Sequence, residues 1–250
     1  MSDGTGDKGY ILILGATSDV AKELLGFYAR DGYSLYLAGR NREELERTAA
    51  DIRLRYQVEA KACIFDALKE ESAEQLWNSL EPKPEGVICA VGLLGDQQQA
   101  QRDPALARRI VDSNFTGLID ILERCAAHFE ARQYGFIIGI SSVAGDRGRA
   151  SNYIYGAAKA AFSTYLSGLR NRLAKKQVQV LTVKPGFIRT KMTRHLDLPE
   201  KMTASPEDIA RGIYRAHHKG KDVVYLPWKW RLIMTIICAI PEFLFKKLSI

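Results

Sequence analysis

Short apolar runs and longer amphipathic stretches alternate along most of this chain. Tyr10–Leu14, Ser34–Ala38, Lys61–Phe65, Gly86–Ala90, Phe136–Ile140, Val178–Val183 and Val223–Leu226 are largely apolar and of strand length. The stretches between them read as helices. Asp19–Arg30 puts Val20, Leu24, Phe27 and Tyr28 on one side and stops at Asp31-Gly32. Asn41 precedes Glu44 by three residues, as a helix cap does, and Leu45, Ala49, Ile52 and Tyr56 then recur at helical spacing. Ser72 opens a helix carrying Leu76 and Leu80. Pro104 opens a long helix that Gly135 closes. Further helices are expected from about residue 152 to 175 and from Pro206 to Gly220.

Strands that alternate with helices, and are themselves apolar throughout, call for a parallel sheet covered on both faces. No stretch rich in Pro, Gly or Ser divides the chain. The expectation is a single doubly wound α/β domain over residues 10–228, with a flap at about 187–205. A polar tail, residues 1–9, precedes it, and an apolar and basic extension, residues 229–250, follows it.

Composition narrows the function classes. The chain has 250 residues, 46% hydrophobic, which excludes general disorder. No apolar run reaches the roughly 20 residues of a membrane span, and the start lacks a signal-peptide core, so a cytoplasmic protein is expected. Four cysteines without Cys-x-x-Cys spacing read as reduced, buried thiols, and four scattered histidines give no expectation of a metal site. A formal charge of +7 suits an anionic cofactor or substrate, or a membrane surface. Nucleic acid is not expected, because no recognition motif or aromatic-interleaved basic run is present.

The first strand, Gly15-Ala-Thr-Ser18 and the following helix form a candidate phosphate cradle. A glycine turn lets backbone approach a pyrophosphate, and the helix N-terminus offers unpaired N–H groups, with Thr17 and Ser18 adding hydroxyls. The spacing lacks the full G-x-G-x-x-G pattern. Arg40, after the second strand, has the fork geometry for a ribose 2′-phosphate, with Arg42 a weaker candidate, so NADPH is favoured over NADH. Asp66, after the third strand, can accept from an adenine amino group or cap a turn. Tyr155-Gly-Ala-Ala-Lys159 puts a phenol and an ammonium one helical turn apart, and Ser142 follows the fifth strand. The ammonium is expected to lower the phenol from its usual pKa near 10, fitting it to protonate a developing alkoxide, with Ser142 polarising the carbonyl. Each residue also has a plain role on a solvated or packed surface.

These motifs together resemble the short-chain dehydrogenase/reductase family along almost the whole chain. The matching residues are Gly15-Ala-Thr-Ser, Ala90-Val91-Gly92, Asn114, Ser141-Ser142, Tyr155-Gly-Ala-Ala-Lys159 and Pro185-Gly186-Phe-Ile-Arg-Thr190. The resemblance implies a seven-stranded parallel sheet ordered 3-2-1-4-5-6-7, dimers or tetramers, and a catalytic tetrad of Asn114, Ser142, Tyr155 and Lys159. In it Asn114 would hold a relay water, and Lys159 would bind the nicotinamide ribose. Implied cofactor contacts come from Gly15, Thr17, Ser18, Asp19, Val20, Arg40, Asp66, Ala90, Gly92, Tyr155, Lys159, Pro185, Gly186, Ile188 and Thr190. Asp19 and Ala21 stand where the family usually has glycine. Asp19 is expected to cap its helix or point outward, since a carboxylate facing a pyrophosphate is repulsive.

The extension contains Trp228-Lys-Trp-Arg, an apolar run from Leu232 to Ile240, and Lys246-Lys247. It is too short to span a bilayer as a helix but can lie on one, and an oligomer contact or a cover over the active site is equally open. With the Gly15-Ala-Thr-Ser-Asp19 turn and the Arg189-Thr-Lys-Met192 segment, it is similar to the reductase half of the decaprenylphosphoryl-ribose 2′-epimerase system. That resemblance implies a 2-keto pentofuranose on a polyprenyl phosphate, an anionic glycolipid, as the carbonyl substrate. It also implies peripheral placement at the inner membrane face. Arg189, Lys191 and Arg194 are candidates for its phosphate. Other keto-lipids, sugars or small carbonyl compounds remain open as substrates, as does a non-catalytic cofactor-binding role.

Overall fold

The computed structural model describes residues 8–194 and 196–248. Most of the expected tail, His195 within the flap, and the last two residues lie outside that range. The elements in chain order begin with β1 (Tyr10–Leu14), α1 (Asp19–Arg30), β2 (Ser34–Gly39), α2 (Arg42–Tyr56), β3 (Ala60–Ile64), α3 (Ser72–Ser79) and β4 (Gly86–Cys89). There follow α4 (Gln97–Ala100), α5 (Pro104–Val111), α6 (Gly117–Arg132), β5 (Gly135–Ile140), α7 (Tyr153–Leu173) and β6 (Val178–Pro185). The last part holds β7 (Phe187–Ile188), β8 (Thr203–Ala204), α8 (Pro206–His218), β9 (Val223–Leu226), α9 (Lys229–Ala239) and α10 (Glu242–Phe245).

The main sheet has seven parallel strands in the order β3-β2-β1-β4-β5-β6-β9. This is the expected order, with β9 as the seventh strand. Every residue of β1, β2 and β4 is buried. Alternate residues of β1 enter opposite cores: Ile11 and Ile13 join residues of α1, α2 and α8, whereas Tyr10, Leu12 and Leu14 join residues of α3, α6 and α7. Truncating one of these leucines to Ala would cost about 2–5 kcal/mol. The chain winds outward from β1 to β3, then crosses to β4 on the other side of β1. The crevice at the carboxyl ends of β1 and β4 is therefore the topological switch point where such sheets take ligands.

Three local expectations change. The long helix from Pro104 is interrupted by a π-helical turn over Asp112–Thr116, and its second half ends on Gln133 in the left-handed conformation rather than on Gly135, which lies in β5. Gln97–Ala100 forms a short helix inside the expected polar loop. Cys238 is exposed and Cys63 half-buried, unlike the buried Cys89 and Cys125; the Cys238 thiol, near the end of α9, lies 3.5 Å from the Asp146 carbonyl. Asn41 caps α2 as expected, accepting from the Glu44 amide at 3.2 Å, and Ser205 caps α8 by accepting from that of Asp208 at 3.1 Å.

The flap is closed at its base by parallel pairing of β7 with β8. Helix α9 docks beside it. Trp230 and Met234, one turn apart, are buried with Val143, and Phe187 meets the Trp230 ring edge-on at 5.0 Å between centroids. Arg147 fixes the far end of α9, donating to the carbonyls of Ile237, Cys238 and Ile240 at 2.9, 3.1 and 2.6 Å, and to Glu242 at 2.8 Å. Among the described residues no helix is long and apolar enough to cross a membrane.

At the opposite rim of the sheet, the Tyr28 hydroxyl lies 2.9 Å from His217 Nδ1, and the His217 ring lies 4.2 Å from that of Phe136. Burial, then the neighbouring His218, holds the His217 pKa down to about 4. An unfolded histidine titrates near 6.5, so between these values the unfolded chain binds a proton that the folded chain refuses. Stability therefore falls as pH drops from about 6.5 toward 4, by on the order of 1–3 kcal/mol from this group. Denaturant titrations across that window should show the loss, and His217→Asn should flatten its upper part. A variant that loses stability as steeply as the parent would contradict this origin.

Candidate active site

At the end of β5 the backbone delivers Ser141 and Ser142 to the sheet rim. The Ser142 hydroxyl accepts from the Ala144 amide at 3.1 Å and starts a tight 3-10 turn, Val143–Gly145. This turn lies directly on α7. A Cβ at Gly145 would stand 2.7 Å from the Ala160 nitrogen, and one at Gly156 would stand 2.7 Å from the Ala144 carbonyl oxygen. Both positions must be bare for the turn to reach the helix, and that close approach puts Ser142 beside Tyr155 in the first turn of α7.

Lys159, one turn further, is buried. Its ammonium donates to the Ile140 carbonyl at 3.1 Å and the Val91 carbonyl at 3.4 Å, at the ends of β5 and β4. It lies 5.8 Å from the Tyr155 ring centroid. Ser141 supports the helix from below, donating to the Lys159 carbonyl at 2.9 Å. Burial pushes the Lys159 pKa down to about 8. It pushes the Tyr155 phenol up to about 12, opposed only by its hydrogen bond with Ser142. The expected lowering of the tyrosine by the lysine does not appear; desolvation disfavours the charged forms of both groups.

Asn114 sits at the centre of the π-helical turn and is fully buried. Its side-chain amide donates to the Ile110 carbonyl at 2.8 Å and the Leu93 carbonyl at 2.7 Å, while its oxygen accepts from the Leu93 amide at 3.3 Å. The side chain therefore ties the loop after β4 to the widened helix. A Cβ at Gly92 would meet the Asn114 oxygen at 3.2 Å and the Lys159 ammonium at 3.5 Å, so this loop passes between the two.

The dinucleotide side is built at the switch point. Gly15 has φ +79°, and a Cβ there would stand 2.9 Å from the Ala90 carbonyl, so the turn admits only glycine. Ser18 caps α1, accepting from the Ala21 amide at 3.3 Å. Asp19 neither caps nor points away. Its carboxylate accepts from the Lys191 amide at 2.6 Å and pins the flap to the first turn of α1. Arg40 is exposed at the end of β2 and forms no ion pair with another described residue, whereas Arg42 lies 3.9 Å from Glu46. Asp66 caps its own turn through the Leu68 amide at 3.1 Å. Gly186 faces α9: a Cβ there would collide with the Trp230 indole.

A cleft of about 430 Å³ joins these groups. The residues expected as the catalytic tetrad and the implied cofactor contacts all line it except Asn114, whose neighbour Ser113 takes its place on the wall. Arg189 and Arg194 are exposed and lie off the lining, which Lys191 joins. Sequence reading missed Gly145 and Gly156, whose role depends on one contact between turn and helix. It also missed Arg149 and Asn152, inside the run between Ser142 and Tyr155 that signalled the site. The cradle fits a dinucleotide: a glycine-only turn, a capped helix N-terminus and an unpaired arginine lie along one crevice.

Residues 9–201 match the family model described as short chain dehydrogenase. The chain is 33% identical over 241 residues to an uncharacterized oxidoreductase of Mycobacterium tuberculosis, covering 95% of this chain and 96% of that one. It is 30% identical over 257 residues to an uncharacterized oxidoreductase of Streptomyces coelicolor, covering 99% of each. In fold it is similar to a short-chain dehydrogenase from Sphingobium yanoikuyae solved in complex with NADPH, at a TM-score of 0.83 and 22% identity, covering 94% of this chain and 97% of that one. Sequence match over most of the chain, strand order and cleft agree: the chain belongs to the short-chain dehydrogenase family of nicotinamide-dependent oxidoreductases.

Proposed function

We propose that this protein reduces a carbonyl group with NADPH, with Tyr155 as the proton donor. The observation that carries the reading is the meeting of Ser142, Tyr155 and Lys159 on one cleft with the Gly15 turn. Reduced nicotinamide, when bound, supplies the hydride. Ser142 donates to the carbonyl oxygen and polarises it. Tyr155, held protonated by burial, passes its proton to that oxygen as negative charge develops there. Lys159, anchored on two backbone carbonyls, presents a cation beneath the phenol and offsets the charge left on it. Asn114 acts as a positioning residue for the loop that carries Gly92. Arg40 is placed for the 2′-phosphate that distinguishes NADPH from NADH, and Lys69 borders the same concavity.

The substrate we assign is the 2-keto pentofuranose of a polyprenyl-phosphate sugar, met at the inner membrane face. The resemblance of the C-terminal region supports this, as does the outward surface of α9 and α10. Trp228, Leu232, Ile236, Phe243 and Leu244 are exposed there, beside Lys229, Arg231, Lys246 and Lys247. Such a surface suits insertion among anionic headgroups.

Tyr155→Phe should lower kcat by at least 10³-fold while leaving NADPH affinity within a few-fold, as followed by nicotinamide fluorescence; unchanged turnover would remove Tyr155 from the mechanism. Arg40→Ala should weaken NADPH by about 10-fold or more and NADH hardly at all. Equal losses would refute the phosphate contact. The double variant Leu232→Glu/Ile236→Glu leaves the buried face of α9 intact and should abolish sedimentation with anionic vesicles. Retained sedimentation, with a smaller oligomer, would instead make this face a contact between copies.

A further inference from the structure

Two arginines follow Ser142 closely, and their surroundings differ. Arg147 is satisfied by three carbonyls and Glu242, and its guanidinium stacks 3.8 Å from the Phe245 ring centroid. Arg149 is more deeply buried, 8% exposed, and forms no ion pair with any described carboxylate. The Asp146 carboxylate that acts on it electrostatically is held by Lys184 at 2.5 Å and the Tyr225 hydroxyl at 2.9 Å. Its Nη2 reaches only the Met234 sulfur, at 3.2 Å, a weak acceptor, and its Nε has no partner. A guanidinium does not shed its charge as a buried lysine can, so an unpaired one in the interior is costly.

This arginine lines the cleft with Ser142, Tyr155 and Asn152. The hydrogen bond it does make is to α9, away from the Gly15 turn and Arg40. Asn152 Oδ1 is also buried and lacks a donor. A cation without an anion and an acceptor without a donor therefore lie on the same cleft as the catalytic phenol, on the stretch that leads from Ser142 into α7. The neighbouring walls are apolar, from Val143, Phe187 and Met192.

We infer that Arg149 and Asn152 form a substrate subsite for a hydroxylated carbonyl compound bearing an acidic oxygen group, phosphate or carboxylate: the guanidinium fork takes the oxyanion and Asn152 Oδ1 takes a hydroxyl. This rests on the reading of the cleft as a carbonyl-reducing site and assigns the anion contact to a buried group rather than to the exposed Arg189 and Arg194. Burial lowers the Arg149 pKa, consistent with a site that awaits a counter-charge.

Matched probe pairs test it with the full chain and NADPH: dihydroxyacetone phosphate against dihydroxyacetone, and acetoacetate against methyl acetoacetate. The anionic member should show at least 10-fold higher kcat/KM in one pair or both, the pair that responds identifying the phosphate or the carboxylate. Arg149→Met should erase that advantage while changing the neutral ketones by less than about 3-fold, and Arg149→Lys should restore part of it. A merely structural arginine would lower both members alike and lower Tm, whereas removal of an unpaired buried charge should leave Tm unchanged or raised. Calorimetry of dihydroxyacetone phosphate and acetoacetate with the NADP+-loaded protein gives a readout that needs no turnover. At least 10-fold weaker binding of either anion to the methionine variant upholds the subsite. Equal affinity, or no binding of either anion by the parent, overturns it. Failure of every ketone to oxidise NADPH, with that binding difference intact, would count against the reductase reading and not against the subsite.

Discussion

Helices close both faces of the seven-stranded sheet, and its inner strands are dry from end to end. Side chains on those strands alternate between two apolar cores and are unavailable for chemistry. What remains is the rim, where strands stop and the backbone turns. Because β1 and β4 are neighbours but lead in opposite directions around the sheet, the rim opens between them. The glycine turn, the loop after β4 and the serine turn after β5 all empty into that opening. The site is where two-sided burial leaves room for one.

Within the opening, the spacing of the reacting groups is set by backbone contact. Gly145 and Gly156 let the turn after Ser142 lie against α7 without intervening side chains. Lys159 is held by the carbonyl that ends β5 and by that of Val91 just after β4, so it ties the helix to the rim of the sheet. The π-helical turn lets Asn114 do the same for the loop after β4. The positions of the tyrosine, lysine and serine are thus fixed by three separate backbone anchors.

Much of this was legible from the chain alone. All seven strands of the main sheet fall within two residues of their apolar runs at each end; burial on both faces leaves an unbroken apolar signature in the inner strands, and the partly exposed edge strands β3 and β9 keep mostly apolar residues. The strand order came from the family resemblance. The interruption at Asp112–Thr116 was not legible: its residues keep helical periodicity, and only the hydrogen bonds of Asn114 reveal the extra residue in the turn. Nor was the role of Asp19. Repulsion from a phosphate argues for a capping or outward carboxylate, whereas the side chain borders the cleft and accepts from the Lys191 amide, a partner far along the chain. The tyrosine and lysine pair was found by spacing, while their proton affinities depend on desolvation, which spacing does not convey. Arg149 reads in sequence as one more surface charge. Only its burial, together with the commitment of Asp146 to other partners, sets it apart.

The docking of α9 has a practical consequence for anyone handling this protein. Its last twenty or so residues look like a dispensable sticky tail, the kind of segment commonly trimmed to improve yield. Cutting there would take the indole of Trp230 from Gly186, leave Arg147 without the helix end it clamps, and remove the sulfur beside Arg149. A shortened protein would therefore change at the catalytic wall as well as at its surface. Loss of activity after such trimming would say nothing about membranes. Altering the outward side chains, with the helix left in place, separates the two effects.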